Sequence, residues 1–376
     1  MKILKNITVF TMVMLLSVST VLEAREKNIS NFSSSASNLV DSTGTFDGNK
    51  IYADVANNGL FLDYHVSGDS ALEWPKGTGV HSIFQSALWM GATVNGSIRT
   101  IVGDYTQDMG PGPWGGDPLA AVHRIYKVEK SMLASPLDFA DFQEWPVEFG
   151  APWVDVDGDG VYTPLPGGTD HPEFLGDQVL WFVSNDGDPA YKLNFGTSPM
   201  NVEIQTTMFG FDRPDVFGDM VFLKQLVINK GSDDLVDTYM GLWSDPDLGY
   251  AGDDFVGCDV ALGMGYVWND GDDSQYSTLD IGTPAAGYDF FQGPMVPCED
   301  GDSEEVCPTE GAKMFGTRHP GMKNLKMSSF AFYINGDATY TDPSDETEGY
   351  FYLQGLRKDG SACLLYTSPS PRDPTK

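Results

Sequence analysis

The chain has 376 residues, 54 acidic and 22 basic, for a formal net charge of -32. Charge of that sign repels nucleic acid and anionic lipid, which argues against both as partners, and it strains a compact fold unless cations neutralise part of it. With 41% hydrophobic and 12% aromatic residues the chain can still bury a substantial core, in one large domain or two ordinary ones.

Met1 to Asn6 carries two lysines and leads into a mostly apolar run from Ile7 to Leu22, which ends abruptly at Arg25-Glu26-Lys27. This is the layout of a cleaved secretion signal over residues 1–24, with the cut expected after Ala24. The run is shorter than the ~20 residues of a spanning helix and is broken by Thr11, Ser17, Ser19 and Thr20. No later segment is apolar enough to cross a bilayer, so the expected location is secreted or outer cell surface.

Residues 25–48 are rich in Ser, Asn, Thr and Gly and are expected to form a flexible lead-in. From Lys50, runs of β-branched and aromatic residues predict strands over 51–55, 59–65, 82–94, 97–105 and 124–128, an N-terminal β region spanning 49–150. A second region, 151–362, is expected to carry strands over 178–183, 202–209, 220–228, 235–243, 260–268, 328–334 and 350–356. Within it, Met220 to Trp243 reads as a hairpin reversing at Asn229-Lys230-Gly231. Sustained helical periodicity is missing after the signal, and 42 glycines with 23 prolines suit dense turns. The expected fold is all-β, one or two β-sandwich domains with long Gly/Asp-rich loops, and no internal repeat is visible.

From Cys363 the chain reads Cys-Leu-Leu-Tyr-Thr-Ser-Pro-Ser-Pro-Arg-Asp. This string resembles the translation of a transposase adaptor used in sequencing libraries, so residues 363–376 are expected to be a non-native tail and the native chain to be cut near Ala362. Of the other cysteines, Cys298 and Cys307 flank an acidic segment that a disulfide would close easily, as an oxidising compartment allows, and Cys258 is expected to be a buried free thiol.

The strongest chemical motif is Asp155-Val156-Asp157-Gly158-Asp159-Gly160-Val161, with carboxylates at loop positions one, three and five and glycine at six. Alternating side chains then curl around one centre, and the Val161 carbonyl can add an oxygen, which is calcium chemistry. The twelfth position is Pro166 in place of the bidentate glutamate of an EF-hand, and Pro152, Pro164 and Pro166 argue against flanking helices. The expected geometry is a β-framed loop closed by Asp170, Glu173 or Asp177. The bland alternative is an acidic solvated turn, although three close aspartates without a cation would repel one another.

A second candidate, Asp245, Asp247, Asp253, Asp254 and Asp259, follows the expected hairpin, and its Asp-Pro-Asp and Gly-Asp-Asp pieces are also ordinary turn chemistry. The clusters at Asn185–Asp188, Asn269–Asp273 and Glu299–Glu305 read more simply as polar loops.

Enzyme signatures are missing: there is no nucleophile elbow, His-Glu-x-x-His, phosphate-binding glycine loop or dinucleotide fingerprint. No catalytic residue is therefore assigned, and His65, His81, His123, His171 and His319 read as structural or surface residues. A paired-carboxylate glycosidase stays open because acids distant in sequence can meet in space. Of the eight tryptophans most are expected in the core, with a carbohydrate-binding face as the minority reading.

Gly59-Leu-Phe-Leu-Asp-Tyr, Glu73-Trp-Pro-Lys-Gly-Thr-Gly, Ala87-Leu-Trp-Met-Gly-Ala, Gly176-Asp-Gln-Val-Leu-Trp-Phe-Val-Ser-Asn-Asp, Trp243-Ser-Asp-Pro-Asp-Leu-Gly, Asp254-Phe-Val-Gly-Cys-Asp and Tyr288-Asp-Phe-Phe-Gln-Gly-Pro resemble a group of large exported bacterial proteins. Members typically end in a type IX secretion sorting domain, and the likeness spans most of residues 50–357. The resemblance implies type IX export and supplies no catalytic residues. The sorting domain is not in this sequence. The combined expectation is a secreted or surface protein with structural calcium, binding extracellular polysaccharide or surface components, with a polysaccharide-active enzyme or carbohydrate-binding protein as the alternative.

Overall fold

The computed structural model of the chain describes residues 43–165, 170–259, 261–334, 337 and 340–362. The expected signal segment, the lead-in as far as residue 42, Pro166 and the expected non-native tail lie outside the described residues.

Nine strands open the fold: β1 (Thr43–Phe46), β2 (Tyr52–Ala56), β3 (Leu60–Leu62), β4 (Leu72–Glu73), β5 (His81–Ile83), β6 (Gln85–Val94), β7 (Ser97–Ile101), β8 (Gly110–Pro111) and β9 (Tyr126–Glu129). A one-turn helix, α1 (Ala140–Gln143), precedes β10 (Trp153–Val154), β11 (His171–Pro172), β12 (Gln178–Asn185), β13 (Val202–Gly210), β14 (Phe222–Asn229) and β15 (Val236–Asp245). After β16 (Asp254–Asp259), β17 (Met264–Asn269) and β18 (Ala286–Asp289), short ladders lead to α2 (Glu346–Leu353).

The fold is all-β, as expected, and every strand pairing among the described residues is antiparallel. Three larger sheets form it: β1-β2-β4-β5; β15-β6-β3 with β7 on β6; and β14-β13-β12-β8 with β9 on β12. The arrangement as a whole is propeller-like, with four blades, and not specifically that of a sandwich.

Strand β12 sits at the centre because both its faces are apolar. Leu180 and Phe182 point into a core shared with β1, β2 and β4, while Val179, Trp181 and Val183 point into a second core with Phe142 and Trp145. All eight of its residues are buried. Strand β6 is covered on both faces too. Leu88, Met90, Ala92 and Val94 face Val202 and Ile204 of β13, and Ala87 and Trp89 face Trp243, Tyr352 and Leu353. Gly91 lets α2 approach, since a Cβ there would lie 2.7 Å from the Tyr350 ring.

Four expectations change. The lead-in is ordered by Thr43, because β1 pairs with β2 and Phe46 is fully buried. The division at 150 and 151 runs through two of the larger sheets, since β9 pairs with β12 and β15 with β6, while β1-β2-β4-β5 lies wholly before it. The expected 220–243 hairpin is an arch, with β14 pairing with β13 and β15 with β6. The arch brings Val227 and Leu242 to the same core from two different sheets. Finally, 350–356 is mostly the end of helix α2, whose N-terminus is capped by Asp345 accepting from the Thr347 and Glu348 N–H groups.

The expected strand at 328–334 makes no ladder and lays Ala331 and Tyr333 against the Trp89 cluster. Cys298 and Cys307 are disulfide-bonded, and Cys258 is a free thiol that is half-buried on β16, less enclosed than expected.

Candidate metal centre

The loop at 155–170 is framed by its own two-stranded ladder, in which Trp153 pairs with Pro172 and Val154 with His171. Asp155 and Asp170 are the next residues on each side of that ladder, so pairing alone brings them together. The first turn folds on its carboxylates: Asp155 accepts from Gly158 N–H at 2.7 Å and Gly160 N–H at 2.9 Å, and Asp159 accepts from Val161 N–H at 2.7 Å. Gly158 and Gly160 take φ of 78° and 75°, the left-handed conformation that lets the chain reverse twice in three residues.

Asp170 is 1% exposed and accepts from the N–H groups of Val156 at 2.9 Å and Thr163 at 2.7 Å. It ties both halves of the loop to one buried carboxylate. Tyr162 anchors the loop to the body by donating to the Phe142 carbonyl at 2.6 Å and packing edge-on against Trp153.

Asp155, Asp157, Asp159 and Asp170 can each offer an oxygen such that all four lie within 4.8 Å of one another, a cluster that could hold a metal ion. Of the three proposed closing acids the structure selects Asp170. Asp177 instead accepts from the Asp212 N–H, and Glu173 lies 3.8 Å from Lys224. Val161 belongs to the loop, and its side chain is exposed.

The second expected cluster does not converge in this way among the described residues. Asp254 and Asp259 are opposite ends of the extended strand β16, roughly 16 Å apart at ~3.3 Å per residue. Asp259 caps its own turn through the Ala261 and Leu262 N–H groups. Asp254 accepts from Leu248 N–H, and burial, with Asp247, Asp253 and Asp273 nearby, pushes its carboxyl up to about 7. Asp245 accepts from the Tyr105 hydroxyl, Asp247 is buried, and Asp253 donates its own N–H weakly to Tyr250.

Two of the weaker clusters hold structural acids. Asp186 is fully buried and accepts from Met200 and Val202 N–H, and Asp273 accepts from Tyr250, Gln275 and Tyr276 N–H. Each replaces backbone partners where chain segments cross.

Sequence reading missed a cavity of about 800 Å³ bounded by β15, β17, β18 and residues 327–334. Trp89 and Trp243 stack there at 5.7 Å, Tyr105 meets Trp243 edge-on, and Trp243 Nε1 donates to the Tyr333 hydroxyl. Asp245, Asp254 and Asp342 lie in its wall. Asp245 and Asp254 belong to the second group read from the sequence, whereas Asp342 comes from a distant segment and no local motif announces it.

Among the described residues no helix is long and apolar enough to cross a membrane. The chain matches no known family model, no curated protein and no solved structure.

Proposed function

We propose that this is an exported, non-catalytic protein in which the 155–170 loop holds a structural calcium ion, serving adhesion, binding or surface architecture. The observation that carries the reading is the convergence of Asp155, Asp157 and Asp159 on the buried Asp170. An all-oxygen, all-carboxylate donor set suits a hard cation, and the alternating spacing with glycine at the sixth position suits calcium over smaller magnesium. The ion neutralises part of the chain's large negative charge and fastens a loop whose acids otherwise repel.

Export rests on the lysine-led apolar segment at residues 1–24, and type IX sorting rests on the resemblance of residues 50–357 to that exported group. The sandwich reading of the fold is supported by the face-to-face packing of β12 and β13 on β2, β4 and β6. Extracellular polysaccharide or surface components are the proposed partners. A polysaccharide-active enzyme is the second reading, favoured only by the aromatic-walled cavity with Asp245 and Asp342 in its lining.

The test is thermal unfolding with calcium and with excess chelator, on the native protein and on a variant with Asp155→Asn, Asp157→Asn and Asp159→Asn. At calcium near a hundredfold Kd, binding contributes about 2.7 kcal/mol, which for a chain of this length, with an unfolding entropy of about 0.7 kcal/mol per K, means that chelation should lower Tm by roughly 4 °C in the native protein and leave the variant unmoved. Identical melting in every condition would remove the calcium reading.

A further inference from the structure

We propose that the 800 Å³ cavity bounded by β15, β17, β18 and residues 327–334 is a binding site for a small organic cation, an alkylammonium group seated against aromatic walls and held by Asp245, Asp254 and Asp342. The volume falls within the ~300–1,000 Å³ of small-molecule pockets.

The chemistry of the lining selects the ligand's charge. Among the described residues it includes the aromatic rings of Trp89, Tyr105, Trp243 and Tyr333 and several carboxylates, but no Lys, Arg, His, Asn or Gln. Such a wall offers electron-rich ring faces and anionic acceptors, with only hydroxyl, indole and main-chain donors. A neutral sugar, whose hydroxyls both give and take hydrogen bonds, is poorly served by it, whereas an ammonium only donates and is drawn to ring faces.

Two of the lining acids are incompletely paired. Asp254 Oδ1 and Asp342 Oδ1 are buried and have no hydrogen-bond partner among the described residues. Burial holds the carboxyl groups of both residues above their ordinary range, as expected where cations are few. Lys358 lies beside Asp342. It donates to the Asp342 main-chain carbonyl and pairs with Glu348, outside the lining.

The test is titration of the full chain, in calcium, with cyclohexylammonium and with its neutral isostere cyclohexanol, followed by tryptophan fluorescence and calorimetry. Saturable binding of the ammonium is expected, with cyclohexanol at least about tenfold weaker. Asp342→Asn and Asp245→Asn, which keep side-chain size, should each weaken the ammonium about fivefold. Should either variant fail to melt cooperatively, the isostere pair on the native protein decides alone.

Equal affinity for the two isosteres, no saturable binding, or preferential binding of a cello-oligosaccharide would each overturn the assignment. A blocked Gly-Lys-Gly tripeptide carries the same group on a chain, and tighter binding by it than by cyclohexylammonium would overturn the small-ligand assignment. The inference does not depend on the calcium loop, since both isostere arms are run with calcium present.

Discussion

Asp170 is the residue whose removal separates the two forces acting on the 155–170 loop. In Asp170→Ala the N–H groups of Val156 and Thr163 lose a buried, charged acceptor. At about 1–3 kcal/mol for each donor left unmet, the loss amounts to about 3–4 kcal/mol. The same substitution removes one of four negative charges whose oxygens lie within 4.8 Å. Each pair at that separation repels by about 0.9 kcal/mol even in water, so three relieved pairs return about 2.5 kcal/mol when no cation is present. With calcium bound the relief vanishes, because the ion already neutralises the cluster. Asp170→Ala should therefore cost about 1 kcal/mol in chelator and about 3–4 kcal/mol or more in calcium. Urea unfolding followed by tryptophan fluorescence in both conditions measures the difference. An equal cost in calcium and in chelator would refute the reasoning, as would no cost in either.

Phe46→Ala should destabilise the protein by about 3–5 kcal/mol, because Phe46 is fully buried at the end of β1; a loss below 1 kcal/mol would return that segment to a loose lead-in. The calcium-free protein should melt higher near pH 5 than near pH 8. Burial raises the carboxyls of Asp104 to about 7, Asp254 to about 7 and Asp108 to about 6, so between about pH 4 and 7 the folded state holds more protons than the unfolded one and stability falls as pH rises. Acids held low by backbone N–H groups, such as Asp302 and Glu304, give the opposite slope only below their ordinary range; a rise in Tm from pH 5 to 8 would contradict this. Replacing Cys298 and Cys307 by serine opens a loop of separation 9 and should cost about 2–3 kcal/mol in denaturant unfolding, with no change marking the bridge as dispensable.

Strand β12 was legible because its run is apolar on both faces, and burial agrees with that pattern. The arch between β14 and β15 was not, because Asn229-Lys230-Gly231 signals a reversal without saying whether the chain returns to the same sheet or crosses the core. Helix α2 hid behind the β-favouring residues Tyr350, Phe351 and Tyr352. The spacing of Asp345 and Glu348 was the available signal, an N-cap acid followed three residues later by glutamate. In the loop the Asp155-x-Asp157-x-Asp159 spacing carried its own geometry, since local turns bring those side chains together. Asp170 was separable from Glu173 and Asp177 only through the register of β10 on β11. The Asp245 to Asp259 group failed for the same reason in reverse: an extended strand carries Asp254 and Asp259 apart however close they are in sequence.

The most direct test of the calcium loop uses terbium as a luminescent stand-in, excited through Trp153 and Tyr162, which flank and belong to the loop. Saturable sensitised emission from one ion per chain is expected, displaced by calcium and abolished when Asp155, Asp157 and Asp159 are changed together to asparagine. Emission that calcium does not displace, or that survives in the triple variant, would contradict the calcium assignment.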